Sequence, residues 1–410
     1  MSIVHQFRRG RRGEAGQSLV FYAIMALVLF LVVALSVDGG VIYLTRAELD
    51  KAVDAAVLTA VRNLSQGQTQ ASTLAQAAFT ANYHGGGSSA NAPGVSIAYA
   101  TDANNNITVN MLATTTLDTY FMRVLPRFKT FQVSSGASAT RAKLIMSLVL
   151  DVSGSMQNNG GALALPPAVK TFISNFDDNL DQVSMISFAS TTNLVVSMRK
   201  PFKNAITTAV NSLVFNGATY TDGGLQLALQ QNNSVAVASG DNVIKIVVLF
   251  TDGYANTFQG TWPTNKTFNV GGFDPPPGYY AILDPRTGNQ LPNNFSLFTG
   301  PAPSYCPSMV NFVSADGTTK SVTPANCTQE GQLRGLATAN AIRSTNMYVY
   351  CIGLGNTLDR NFILGVANDP AAPTYDPNQP VGAGLFAPNA SQLQTVFQQI
   401  AAKILLRLTK

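Results

Sequence analysis

From Ala15 to Val37 the chain reads AGQSLVFYAIMALVLFLVVALSV, without a single charge. At ~1.5 Å per residue such a helix covers ~34 Å, enough for the ~30 Å hydrocarbon core of a bilayer. The spacing then changes. Leu49, Val53, Ala56, Ala60 and Leu64 recur at steps of four, three, four and four, which marks one face of a helix. Its small residues permit close packing against another helix. The pattern predicts a helix that continues the apolar segment outward, loosened at Gly39-Gly40, and a second Ala- and Gln-rich helix to about Tyr83. HGGGSSANAPG ends that stretch. Between 95 and 142 the period falls to two. VSIAYA and NITVNM alternate polar and apolar around the turn DANNN, and FQVSSGASATRA supplies a further strand.

From Leu144 onward the pattern is an alternation of strands and helices. LIMSLVL is a continuous apolar run, as expected of a strand covered on both faces. LPPAVKTFISNF reads as a helix with Pro166-Pro167 in its first turn, where missing N–H groups are tolerated. VSMISFA and NLVVSM are strands, FKNAITTAVNSL and GGLQLALQQ helices, and NVIKIVVLFTDG a second strong central strand. EGQLRGLATANAIRST and MYVYCIGLG give one more helix and strand, and SQLQTVFQQIAAKILLRL closes as an amphipathic helix. The predicted fold is α/β, a doubly wound and mostly parallel sheet with helices on both faces. The expected organisation is a basic tail over 1–14, a transmembrane helix over 15–37, a long helix with a small antiparallel sheet over 38–142, and the α/β domain over 143–410, with an insertion over 254–328.

Charge orients this arrangement. Of 26 basic residues, Arg8, Arg9, Arg11 and Arg12 lie in the tail, and the remaining 22 face 21 acidic ones. The body therefore has no basic excess that would suggest nucleic-acid binding. The arginines precede the apolar run and Asp38 follows it. The positive-inside bias then puts the N-terminus in the cytoplasm and the bulk outside. No A-x-A-like site follows the run promptly, so a retained anchor is expected rather than a cleaved signal. With only His5 and His84, and Cys306, Cys327 and Cys351, a four-cysteine or three-histidine zinc site cannot be built within one chain. Cys306 and Cys327 lie in a Pro- and Asn-rich stretch and are expected to close a loop as a disulfide in an oxidising compartment. Cys351 sits in an apolar strand pattern as a small buried side chain.

GEAGQSLVFYAIMALVLFLVVALSVDGGVIYLTRAELDKAVDAAVLTA resembles the N-terminal region of TadG-like proteins of the Tad (tight adherence, Flp) pilus machinery. The likeness rests on GQ before the span, VDGG after it and the helix carrying AVDAA. It implies an inner-membrane protein of bacteria that helps assemble or position a pilus. A long helix followed by a small antiparallel sheet is also pilin-like. Processed pilins carry Glu five positions after the cleaved glycine. Here that position is Ser18 after Gly13, or Phe21 after Gly16, which argues against prepilin processing.

In a doubly wound sheet ligands collect beyond the carboxyl ends of the strands. Asp151 ends the first strand, with Ser153 and Ser155 at alternate positions after it. Asp252 ends another central strand, and Thr219 lies in a loop between two helices. All five are hard oxygen donors suited to a divalent cation, Mg2+ foremost, with Mn2+ and Ca2+ as alternatives. With at most two carboxylates, such an ion keeps positive character and can accept a partner's Glu or Asp. The set resembles the metal-ion-dependent adhesion site of von Willebrand factor A domains, D-x-S-x-S, a distant Thr and an Asp in a TDG turn. Thr219 is preferred to Thr221 because GATYTDGGL aligns its first Thr with the family's Gly-x-Thr. The resemblance implies a metal-bridged protein partner, another Tad component or an envelope surface.

The insertion holds ten of the twenty prolines and Trp262, and little periodicity. It leaves the sheet beside Asp252, so it is expected either to rim the metal and select the partner or to be a solvated spacer. Asp274 and Asp284 within it support no calcium site. The leading expectation is a non-enzymatic adhesion or assembly protein, with self-association through the long helix left open. The alternatives are a minor pilin-like subunit of the fibre, and a metal-dependent hydrolase using Asp181 or Asp222 as base. Against the hydrolase, Asp222 is expected to cap a helix and Asp181 to precede a strand.

Overall fold

The run of strong helix formers from residue 14 onward folds as one helix, α1 (Glu14–Arg62). In this computed structural model residues 14–85, 90–104, 106–261, 267–273, 279–283, 311–321 and 323–408 are described. They divide into two compact units, Met1–Ala100 with Thr108–Thr140, and Thr101–Ile107 with Arg141–Lys410. Helix α1 is the one helix among the described residues long and apolar enough to cross a membrane. Its large apolar side chains from Leu19 to Leu35 are exposed. The expected loosening at Gly39-Gly40 does not occur, and the helix runs through both glycines. Beyond them the predicted face is buried. Leu49, Val53, Ala56, Ala60 and Leu64 pack out of solvent, and α2 (Gln68–Asn82) buries Ala71, Ala75 and Phe79.

The same unit holds a three-stranded sheet in the order β1 (Gly94–Thr101), β2 (Ile107–Asp118), β3 (Thr130–Arg141). Thr108 meets Thr140 and Asn110 meets Ser138, so β2 and β3 run antiparallel. The alternation along β2 buries Val109, Met111, Ala113 and Leu117, the period-two face of a half-buried strand.

The second unit is built on a six-stranded sheet in the order β14-β13-β7-β4-β5-β6. Its strands are β4 (Lys143–Asp151), β5 (Gln182–Phe188), β6 (Thr192–Arg199), β7 (Val243–Thr251), β13 (Tyr348–Leu354) and β14 (Ala383–Ala387). Neighbours are parallel except β6, which is antiparallel to β5. Leu144, Met146, Leu148 and Leu150 share one core with α4 (Gly161–Ser174), α5 (Lys203–Val210) and α9 (Leu393–Leu408). Val149, with Val247, Leu249 and Val349, shares the other with α6 (Thr221–Asn233), α7 (Pro324–Ser344) and α8 (Arg360–Ala367). The doubly wound, mostly parallel sheet is therefore as expected.

Local details differ. Helix α4 starts at Gly161, so Pro166 and Pro167 lie inside it rather than in its first turn. A four-residue helix, α3 (Ser155–Asn158), follows β4. The insertion is not devoid of strands. β8 (Thr257–Thr261), β9 (Thr267–Phe273) and β10 (Tyr279–Leu283) form an antiparallel sheet, and β11 (Asn311–Val313) pairs with β12 (Thr319–Ser321). Short strands separated by proline and asparagine show too few repeats to be read as period two. Helix α7 begins at Pro324, five residues before Gln329, with the Thr323 hydroxyl accepting from Asn326 N. Trp262, Asp274, Asp284 and Cys306 lie outside the described residues, whereas Cys327 and Cys351 are buried.

Candidate metal centre

Strands β4 and β7 are neighbours, with Leu150 opposite Phe250. The chain leaves β4 toward α4 on one face and leaves β7 toward α7 on the other. The carboxyl ends of these two strands therefore flank the topological switch point, where open α/β sheets bind ligands. Asp151 is the last residue of β4. Thr251 ends β7 and Asp252 stands one residue beyond it, a shift of one from the expected strand end.

The loops close tightly over this crevice. Asp151 Oδ1 accepts the Ser153 N–H at 2.8 Å, and Oδ2 accepts the Thr251 hydroxyl at 2.5 Å. Asp252 Oδ1 accepts Ser155 Oγ at 2.7 Å and Ser153 Oγ at 3.5 Å, and Oδ2 accepts Asn159 Nδ2 at 2.5 Å. The Ser153 and Ser155 hydroxyls lie 3.0 Å apart. Thr219 joins them from the loop before α6, its N–H donating to Asn256 Oδ1 at 2.9 Å. A β-carbon built on Gly253 would lie 3.7 Å from Ser155 Oγ and 3.8 Å from Thr219 Oγ1. All five predicted donors thus come to one rim of the sheet. Thr221, the alternative to Thr219, is buried at the start of α6.

The site is acidic and largely buried. Asp151, Ser153, Thr219 and Asp252 are buried, and Ser155 alone of the five is exposed. Among the described residues neither carboxylate forms a salt bridge. Burial first, and then the neighbouring Asp252 charge, push the Asp151 carboxyl up to about 7, and burial also raises Asp252. Two buried acids and three hydroxyls, without a cation of the protein's own, match the donor chemistry of a hard divalent ion. Among the described residues no three His, Cys, Asp or Glu side chains converge, so the candidate set has two acids only.

Residues 16–63 match the family described as Flp pilus-assembly TadE/G-like, and residues 146–267 match the von Willebrand factor type A domain. The chain joins a TadE/G-like segment to a von Willebrand factor type A domain. Among solved structures it is similar to the pilus adhesin SpaC from Lactobacillus rhamnosus GG, at 16% identity and a TM-score of 0.43, covering 77% of this chain and 35% of that one. For the vWF domain of the type V pili tip protein Mfa5 from Porphyromonas gingivalis the values are 14%, 0.42, 66% and 97%. For proximal thread matrix protein 1 from the mussel byssus, with a zinc occupied MIDAS motif, they are 12%, 0.36, 66% and 46%. The match thus spans about a third of SpaC. A search of the curated proteins found none that matches.

The von Willebrand factor type A domain also uses residues that the motif did not single out. Thr251 and Asn159 hold the two carboxylates, and Asn256 holds the Thr219 loop. Gly217, with φ near +91°, offers its carbonyl to Gly154 N at 3.0 Å, and the Ser190 hydroxyl accepts from Ala218 N. A left-handed glycine is suited to that close approach of two loops. Thr251 stands in the TDG turn, but its hydroxyl had no role assigned from the sequence. Asn159 lies in an Asn- and Gly-rich turn that carries no chemical signal of its own. The two acids weighed as bases are both engaged. Asp181 pairs with Arg141 at 2.8 and 2.7 Å. Asp222 accepts from Thr338 and Gln226, tying α6 to α7 rather than capping α6 as expected.

Proposed function

We propose that this protein is anchored in the bacterial inner membrane by residues 15–37, with its N-terminus cytoplasmic, and works outside the cytoplasm in Tad pilus assembly or adhesion without being an enzyme. In this reading residues 38–142 are a pilin-like stalk and residues 143–410 the binding domain. Asp151, Ser153, Ser155, Thr219 and Asp252 would hold a divalent cation, Mg2+ foremost. When bound, the ion supplies a Lewis-acidic position that a carboxylate of a partner fills. Asp151 and Asp252 bring the negative charge that retains it, while the hydroxyls add donors without further charge. Thr251 and Asn159 keep the acids aimed at the crevice. The partner is a protein offering Glu or Asp, most directly another pilus component.

The observation that carries this reading is the convergence of five hard oxygen donors at the switch point, where among the described residues neither acid forms a salt bridge. The engagement of Asp181 and Asp222 elsewhere weighs against a hydrolytic alternative, because neither is left to act as a base. The test uses the full chain in detergent. Titration calorimetry with Mg2+ or Mn2+ is expected to show binding by the wild type and none by Asp151→Ala. Retention of pilus components should be lost both in EDTA and in that variant, and equal retention in all three samples would contradict the proposal.

A further inference from the structure

Between β2 and β3, in the first unit, residues 119–129 close a loop on themselves. Thr119 N donates to Lys129 O at 3.1 Å and its hydroxyl donates to Phe128 O at 2.6 Å. Two short 3-10 turns, Met122–Val124 and Pro126–Phe128, fill the loop. Its apolar side chains nevertheless face outward. Val124 is 83% exposed, Leu125 58%, Phe121 48% and Phe128 40%. Exposed apolar area concentrated in one loop marks a surface that something covers. Arg123, Arg127 and Lys129 are interleaved with these residues, and among the described residues none of the three pairs with a carboxylate.

What holds the loop says what covers it. Asp38 is 1% exposed, and its carboxylate accepts the N–H groups of Tyr120 at 2.7 Å, Phe121 at 3.1 Å and Met122 at 2.6 Å. Asp38 is also the one charged residue between Ala15 and Thr45. Counted along α1 from Ala15, where the uncharged run starts, it lies ~34 Å away at ~1.5 Å per residue, at or just beyond the edge of a ~30 Å hydrocarbon core. The hydrogen bonds that fix the loop therefore fix it at the level of the lipid headgroups. Past Asp38, α1 still exposes Tyr43 and Leu44, at 72% and 60%, before Arg46.

We infer that residues 119–129 make a second membrane contact, beside the span. The loop dips Phe121, Val124, Leu125 and Phe128 into the leaflet from which α1 emerges and sets Arg123, Arg127 and Lys129 against anionic phospholipid headgroups. Apolar tips bracketed by cations are the composition that binds such an interface. Asp38 is tolerated at the core edge because three N–H donors satisfy it. The second contact fixes the tilt and rotation of the span, which its length alone leaves open. This inference rests on the reading of α1 as a membrane span.

The test uses full-length Trp262→Phe protein in phosphatidylcholine–phosphatidylglycerol vesicles, with one tryptophan introduced by Val124→Trp, Leu29→Trp or Leu112→Trp. Val124→Trp is expected to be quenched by bromines high on the acyl chains and shielded from iodide. Leu29→Trp should be quenched by bromines near the chain ends, and Leu112→Trp, on the exposed side of β2, by iodide alone. Loss of lipid quenching at Leu29→Trp would sink the span itself. Normal quenching there with an iodide-accessible Val124→Trp would overturn the loop contact, as would a Val124→Trp shielded from both quenchers, which would mean a protein cover. Arg123→Glu, Arg127→Glu and Lys129→Glu together should cut the bromine quenching of Val124→Trp severalfold, and no change would overturn the headgroup contact.

Discussion

Asp151 and Asp252 sit where a carboxylate is least comfortable, buried and beside one another. Their folded pKa values are raised, that of Asp151 to about 7, above the ~3.9 of an unfolded Asp. Between those values the folded state holds more protons than the unfolded one, so cation-free protein loses stability as pH rises through that interval. A divalent cation held by the pair, as proposed, would favour its deprotonated form and remove the trend. Scanning calorimetry in EDTA should therefore show Tm falling from about pH 5 to about pH 7, with the fall removed by excess Mg2+. Asp151→Asn should flatten the EDTA profile, and identical wild-type profiles with and without Mg2+ would contradict the metal reading. At this scale the donor types and their spacing were legible in DVSGSM, GAT and TDG. The hydrogen bonds from Thr251 and Asn159 were not, because they depend on which loops meet.

At the scale of elements, hydrophobic period was a reliable guide wherever a run was long. The face of α1, the central strands β4 and β7, and α9 all stand where periodicity put them. It failed where the signal was short or set by neighbours. Gly382 allows one such neighbour, since a β-carbon there would come within 1.8 Å of Val349 O, and β14, just beyond it, is a five-residue edge strand that no pattern announced. Helix α7 shows the same dependence. A β-carbon on Gly331 would meet Ala255 O at 2.4 Å and Thr257 O at 3.2 Å, so this helix packs on the segment leaving β7 only through a bare backbone. Gly331→Ala, despite its better helix propensity, should destabilise the protein by ~1–3 kcal/mol through overpacking. Urea denaturation checks it, and a gain in stability would show that the segment yields freely.

For the whole molecule the outcome to measure is orientation. Alkaline phosphatase fused after Lys410 should be active in cells, and a fluorescent protein at the same place dark, if residues beyond Asp38 lie outside. Replacing Arg8, Arg9, Arg11 and Arg12 with Glu should weaken that preference. The opposite reporter pattern would remove the extracytoplasmic reading. Length, charge order and period are local quantities, so the chain by itself determined an apolar helix, a β/α alternation and the oxygen donors at strand ends. Strand order is not local. Only the tertiary structure set β7 beside β4, and so joined Asp151 to a residue about a hundred positions away. Only the folded first unit turned Asp38 from the residue after an apolar run into the acceptor of three backbone N–H groups. Both depend on packing, which brings together residues far apart in the sequence, and at Asp38 it also supplies the partners that a buried charge must find.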